Sequence, residues 1–245
     1  MPTEGREWCN DPALYFRKED ASRVFTLHKE IADDVYNAGA KKILDYGSGD
    51  GKILDSFPSI SGPEITLHDP EEVALSEARE KFGGHSNVNF EADCDKLPSA
   101  YYDAVILCNV IMVIRTEEEL KTVFCSLRRV LRTGGTLYAG LTHPCFLDRE
   151  FATYANDFTR RTKEFNYFDD GAAYKVYMEQ GGLPIVITDF FWSLSLLVTL
   201  FLKSGFTLLG VKELRDVEEN RYPPFMVLRL GPSAVTVASG INPIC

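Results

Sequence analysis

The chain has no cysteine pair, and no cluster of histidine, cysteine and carboxylate, at metal-ligand spacing. Its six cysteines, at positions 9, 94, 108, 125, 145 and 245, are scattered, several of them inside apolar runs where a thiol behaves as a small hydrophobe. We therefore expect reduced structural thiols, no bound metal and a cytoplasmic protein. Basic charge is also short. Twenty-six Lys and Arg stand against 36 Asp and Glu, a formal net charge of -10, which makes nucleic acid and anionic membrane poor partners because phosphate binding needs concentrated positive charge. The first residues, Met-Pro-Thr-Glu-Gly-Arg-Glu-Trp, lack the apolar core of a signal peptide. The one long apolar run, Leu183 to Leu202, is broken by Asp189, carries Pro184 near its start and is punctuated by Ser193, Ser195 and Thr199. It predicts a buried helix from Asp189 to Ser204 rather than a membrane span.

What is present is an ordinary globular composition, 45% hydrophobic and 25% charged over 245 residues, enough to bury a sizeable core. The chain is organised around Ile43 to Gly51, Ile-Leu-Asp-Tyr-Gly-Ser-Gly-Asp-Gly. An apolar strand runs into an Asp and three alternate glycines, and Lys52-Ile53-Leu54 begins a short helix. Glycine permits positive φ and close approach of a ligand to bare backbone, and the free N–H groups of a helix start favour an anion. This is a cradle for a nucleotide-like molecule.

A lead-in helix over Ser22 to Ala38, with apolar Val24, Leu27, Ile31 and Val35, precedes it. Beyond it, Glu64 to Asp69, Asn87 to Ala92, Asp103 to Asn109 and Thr136 to Leu141 read as strands. Helices over Glu71 to Phe82 and from Thr116 to Gly134 alternate with them, the second opened by an N-cap and three Glu. This rhythm predicts a parallel α/β sheet. The pattern breaks from Pro144 to about Thr188, where Phe146, Phe151, Tyr154, Phe158, Phe165, Tyr167, Phe168, Tyr174 and Tyr177 crowd together. Lys175 to Met178 and Ile185 to Thr188 predict a hairpin there. Phe206 to Glu213 and Phe225 to Leu230 are strands six and seven.

Open parallel sheets bind ligands outside the carboxyl ends of their strands. The residues at those ends are Asp45 with the glycine turn, Asp69, Asp93, Asn109 and His143. They suit a nucleoside bearing a sulfonium and an amino-acid tail. Gly47, Ser48, Gly49 and Gly51 would approach the tail, and Asp69, 18 residues after Gly51, would accept the ribose hydroxyls. Asp93 would take the adenine amine, with Pro70 and Cys94 beside the ring and Asn109 and Val110 lining the methionine side.

Gly-Ser-Gly-Asp-Gly after a strand, the acid ending strand two, Ala-Asp ending strand three, Asp-Ala-Val-Ile-Leu-Cys-Asn-Val in strand four and Leu-Arg-Thr-Gly-Gly-Thr-Leu before strand five occur in that order. Together they resemble the class I S-adenosylmethionine-dependent methyltransferases, small-molecule type, over roughly residues 40 to 146. A Ser-Gly-Phe and a final Pro-Pro-Phe-Met-Val-Leu-Arg extend the likeness. The resemblance implies a seven-stranded, mostly parallel α/β sheet with helices on both faces, strand seven antiparallel, and an aromatic-rich lid insertion after strand five. It implies one methyltransferase domain over residues 1–245, with a helical cap over 1–39 and the lid over 144–188.

The implied cofactor is S-adenosylmethionine, leaving as S-adenosylhomocysteine. The implied partner is a small-molecule acceptor methylated on N, O or C, with no nucleic acid or membrane, on a monomer or homodimer. Tyr15, Phe16, His143, Phe146, Tyr154 and Trp192 are the acceptor-side candidates. His143 is the candidate base, since an imidazole titrates near neutrality; packing under the lid with its nitrogens satisfied locally is the other role open to it. Many relatives carry a polar group just after strand four, where this chain has Ile111, Met112, Val113 and Ile114. Two alternatives stand beside this reading. A nicotinamide-dependent oxidoreductase also has glycines after its first strand, but this turn departs from Gly-x-Gly-x-x-Gly. The other is a protein that binds S-adenosylmethionine without transferring methyl.

Overall fold

The computed structural model describes residues 25–150, 155–180, 183–215, 221–233 and 244–245. Tyr15, Phe16 and Tyr154 lie outside them. β1 (Lys42–Tyr46), β2 (Glu64–His68), β3 (Val88–Glu91), β4 (Tyr102–Cys108) and β5 (Leu131–Thr142) run parallel. After β5, the strands β6 (Ala155–Asn156), β7 (Ala173–Gln180) and β8 (Leu183–Phe190) form a separate antiparallel sheet. The chain then returns through β9 (Phe206–Leu214) and β10 (Phe225–Pro232), giving a seven-stranded sheet in the order β3-β2-β1-β4-β5-β10-β9. Of these seven, β10 alone runs against its neighbours, as the resemblance implies.

Strand side chains alternate between faces, so the near-continuous apolar strands feed two cores. Ile43, Ile65, Leu67, Ala104 and Ile106 pack with Leu27, Ile31 and Val35 of α1 (Phe25–Asn37) and Leu75, Ala78 and Phe82 of α2 (Glu72–Phe82). Leu44, Val105, Leu107, Leu137 and Leu141 pack on the other face with Leu120, Phe124 and Leu127 of α3 (Glu117–Val130) and Leu197, Leu200 and Phe201 of α4 (Leu194–Lys203). Phe124 and Phe201 stack with centroids 3.9 Å apart, joining α3 to α4. A capping box fixes the start of α3: the Thr116 hydroxyl accepts the Glu119 N–H at 3.2 Å, and the Glu119 carboxylate accepts the Thr116 N–H at 3.2 Å.

Three expectations change. The helix expected from Asp189 begins at Leu194, because β8 extends through Phe190 and the Ser193 hydroxyl accepts the Leu196 N–H as its N-cap. The helix expected to run to Gly134 ends at Val130, where Leu131 already has strand geometry and pairs with Tyr102. Two of the cysteines expected as thiols, Cys125 on α3 and the last residue Cys245, form a disulfide, while Cys94, Cys108 and Cys145 are free.

The predicted hairpin is present as β7 and β8, with Lys175 opposite Thr188 and Met178 opposite Ile185. The aromatics around it build their own small core of Leu147, Phe158, Tyr174, Val176 and Phe191, with Phe165 and Tyr167 packed against it. Buried Asp157 holds this unit together by accepting from the Lys175 N–H, the Thr162 hydroxyl and the Tyr177 hydroxyl. No helix among the described residues is long and apolar enough to cross a membrane.

Candidate functional site

The carboxyl ends of β1, β2, β4 and β5 bring the candidate residues to one edge of the sheet. Gly47, Gly49 and Gly51 adopt φ of 76°, 56° and 76°, left-handed values that disfavour any residue with a Cβ. The turn is folded across the end of β2. Gly47 and Ser48 both donate their N–H to the His68 carbonyl, at 2.7 and 2.9 Å, and Gly49 donates to an Asp69 carboxylate oxygen at 2.8 Å. A Cβ at Gly47 would overlap the Val110 side chain, and one at Gly51 would meet Phe82 at 2.9 Å and Leu67 at 3.0 Å. These glycines are required for packing as well as for conformation. Asn109, also left-handed at φ 57°, donates its N–H to the Gly140 carbonyl and brings Val110 against the turn.

Three carboxylates surround this turn. Asp45 is 3% exposed, and burial, followed by the negative charge of Asp69 and Asp50, pushes its carboxyl up to about 8. Asp69 uses one oxygen on Gly49 and the other on the Glu71 N–H at 2.9 Å, tying the turn to the start of α2. Asp50 pairs with Lys81. The Ser48 hydroxyl is buried with no hydrogen-bond partner, an orphan that a bound ligand would satisfy. Asp93 and Cys94 stand on the turn after β3, where Asp93 caps the Asp95 N–H at 3.0 Å. Pro70 begins the exposed link between Asp69 and α2.

Sequence reasoning did not single out Tyr46 or His68. Burial pushes the Tyr46 phenol up to about 12, and its ring lies 4.5 Å from that of His68, whose Nδ1 is 2.8 Å from the Glu91 carbonyl oxygen. His28, on α1, is half-buried near Lys52 and Asp50. Burial first, and then Lys52, push its imidazole down to about 4.

His143 is 3% exposed and both ring nitrogens are engaged. Nδ1 accepts the Cys145 N–H at 3.2 Å, which leaves the proton on Nε2, 3.0 Å from a Glu213 carboxylate oxygen. Phe146 packs against His143 and Tyr222, with centroids 4.7 and 5.7 Å away. Trp192 stands apart from this group. Its indole N–H donates to the Ile114 carbonyl at 3.1 Å, and its ring lines a gap of about 20 Å³. Met112, Leu141, Pro144, Tyr174 and Phe191 also line that gap, which separates the end of the main sheet from the inserted one. Its size admits one water, so an acceptor would have to displace side chains to enter.

A larger cavity of about 530 Å³ lies at the opposite, amino ends of the strands. Most of its charges are already used: Asp103 accepts from the backbone N–H groups of Lys41 and Lys42 and pairs with Arg132, and the Lys42 ammonium sits 3.6 Å over the Tyr101 ring. Among the described residues no group of three His, Cys, Asp or Glu could hold a metal ion.

Residues 43–135 match the family described as a methyltransferase domain. The whole fold is similar to several solved structures. A protein of Pyrococcus horikoshii shares 22% identity at a TM-score of 0.60, covering 90% of this chain and 99% of that one. The N-methyltransferase NodS of Bradyrhizobium japonicum, solved with S-adenosyl-L-homocysteine, shares 12% at 0.60 over 89% and 94%. The Burkholderia thailandensis 1,6-didemethyltoxoflavin-N1-methyltransferase, solved with 1,6-didemethyltoxoflavin and S-adenosylhomocysteine, shares 14% at 0.56 over 90% and 81%. No curated protein matches by sequence.

Proposed function

We propose that this chain, whose residues 43–135 match the methyltransferase-domain family, is an S-adenosylmethionine-dependent enzyme that methylates N, O or C of a small molecule. The observation that carries this reading is the charge around the glycine turn. Asp50 and Asp69 stand close to buried Asp45, and burial first, then their negative charge, raise its carboxyl to about 8, so the setting resists a further anion. A dinucleotide would bring a pyrophosphate, with two negative charges, into that setting. A sulfonium nucleoside with an ammonium tail brings positive charge instead, and the orphan Ser48 hydroxyl offers a hydrogen bond to its polar tail, while the turn's glycines let that tail approach closely. The group fits the residues present.

When bound, S-adenosylmethionine supplies a methyl group on positively charged sulfur, open to in-line displacement by the acceptor. The protein's share of the work is alignment and exclusion of water. Gly47, Ser48, Gly49 and Gly51 hold the tail beside Asp45. Asp69, already fixed by Gly49 and Glu71, retains lone pairs on both oxygens for the ribose hydroxyls. Asp93 and Cys94 bound the adenine side with Pro70, and Asn109 and Val110 close the wall toward the methyl group.

We assign His143 to positioning rather than to proton abstraction. A further proton on Nδ1 requires the bond from Cys145 to break, and Nε2 already faces Glu213. The small acceptor is supported by the 1,6-didemethyltoxoflavin bound in the Burkholderia neighbour.

Calorimetry with S-adenosylmethionine, S-adenosylhomocysteine and NAD tests the reading. The first two bind and NAD does not; binding of NAD alone would overturn it. Asp69→Ala is expected to abolish nucleoside binding, whereas His143→Ala leaves it intact.

A further inference from the structure

One buried acid has no task in the scheme above. Asp189, in the last turn of the β8 ladder, is 3% exposed, and its Oδ1 has no hydrogen-bond partner. Its surroundings are apolar. The residue directly across the ladder is Tyr174, and the residue two positions on is Phe191, so all three share one face of the inserted sheet. Tyr174 and Phe191 both line the gap beside Met112, Leu141, Pro144 and Trp192, while Asp189 is not on its wall, so an acceptor reaches the carboxyl by displacing these rings. That gap opens between the loops after β4 and β5, on the same edge of the sheet as the glycine turn. An unpartnered carboxyl in an apolar core costs about 1–3 kcal/mol unless something satisfies it, and no side chain among the described residues does so.

We propose that Asp189 is the specificity-determining residue of the acceptor pocket, and that the acceptor is a small molecule with an amine group whose N–H bonds satisfy the orphan carboxylate. The proposal rests on the methyltransferase reading and names the substrate class of that site. Aromatic and aliphatic walls receive the carbon skeleton, and the single acid selects the nitrogen. Burial pushes the Asp189 carboxyl up to about 7, so near neutral pH it passes between the protonated form and a carboxylate that attracts an ammonium.

The test uses three compounds of one skeleton, phenethylamine, 2-phenylethanol and phenylacetate, bound to the S-adenosylhomocysteine-loaded full chain and followed by calorimetry. Wild type is expected to bind the amine at least tenfold more tightly than the alcohol or the acid. Asp189→Asn is expected to weaken the amine at least tenfold while leaving the alcohol and S-adenosylhomocysteine unchanged, a selective loss that a purely structural role would not give. Asp189→Leu should fold with an equal or higher melting temperature, since the carboxyl lacks a partner to lose.

Equal binding of the three compounds, no binding of the amine by wild type, unchanged amine binding in Asp189→Asn, or collapse of both variants would each overturn the proposal. Failure of wild type to bind either sulfur nucleoside would instead sink the donor reading. In that case the same three compounds, offered to the ligand-free protein, still decide the role of Asp189.

Discussion

At the scale of single residues, the donor edge is a set of small residues and acids whose positions leave few substitutes. Gly47→Ala places a Cβ at φ 76° and against Val110. Left-handed strain alone costs roughly 1–2 kcal/mol, and the overlap adds to it. A Gly47→Ala, Val110→Ala double variant should recover the overlap but not the strain, which urea unfolding of the two would separate.

Asp45 makes a pH prediction. Its carboxyl moves from an ordinary 3.8 to about 8 on folding, so between those values the folded state holds a proton that the unfolded chain has released. Its contribution to stability is complete below pH 3.8 and is lost as pH rises through about 8; Asp189 adds the same sign up to about 7. Asp45→Asn should therefore flatten the decline of melting temperature between pH 5 and pH 8.5, and an unchanged slope would show that Asp45 ionises freely in the fold.

At the scale of elements, what was legible in the sequence is what local physics decides. The capping signal at Thr116, the apolar stripe of α3, the glycine turn and the β7–β8 hairpin follow from residues close together in the chain. The start of α4 did not. The apolar run through residues 183–202 carries no period that separates strand from helix, and the break is made by a distant acid: Asp170 accepts both the Ser193 N–H, at 2.5 Å, and its hydroxyl, at 3.0 Å. Asp189 itself was visible as the charge that spoils a membrane span, but its orphan state depends on Tyr174 and Phe191, which only folding brings beside it. The two helices joined by the Phe124–Phe201 stack stand or fall together. Phe124→Ala should cost about 3–5 kcal/mol, and Thr116→Ala about 1 kcal/mol, both measured by denaturant midpoint with the slope unchanged.

At the scale of the whole molecule, the antiparallel run of β10 came from likeness to a family rather than from periodicity, and the strand order and the placement of β10 beside β5 were not legible at all, because pairing between distant strands leaves no local trace. The disulfide was illegible for a related reason. Cys125 and Cys245 are 120 residues apart, and spacing at that range says nothing about proximity. The pair ties the chain's end to α3, where Ile244 packs on the core and donates its N–H to the Lys203 carbonyl at 3.2 Å. Constraining so long a span should stabilise the fold by roughly 2–5 kcal/mol. Cys125→Ser and treatment with a thiol reductant should therefore lower the melting temperature by the same amount, and a reductant effect surviving in the variant would point to another bond.

The same bond makes the polypeptide a lariat. The open tail, up to Cys125, carries the glycine turn and every proposed donor contact, while the closed ring carries β5, the inserted sheet, α4, β9 and β10. A single protease cut anywhere inside the ring leaves both pieces on one molecule, running as an uncut mass in denaturing electrophoresis until thiol is added. A cut in the tail separates the fragments at once. The position of a nick, and hence which half of the site was exposed, can be read by comparing two lanes of one gel.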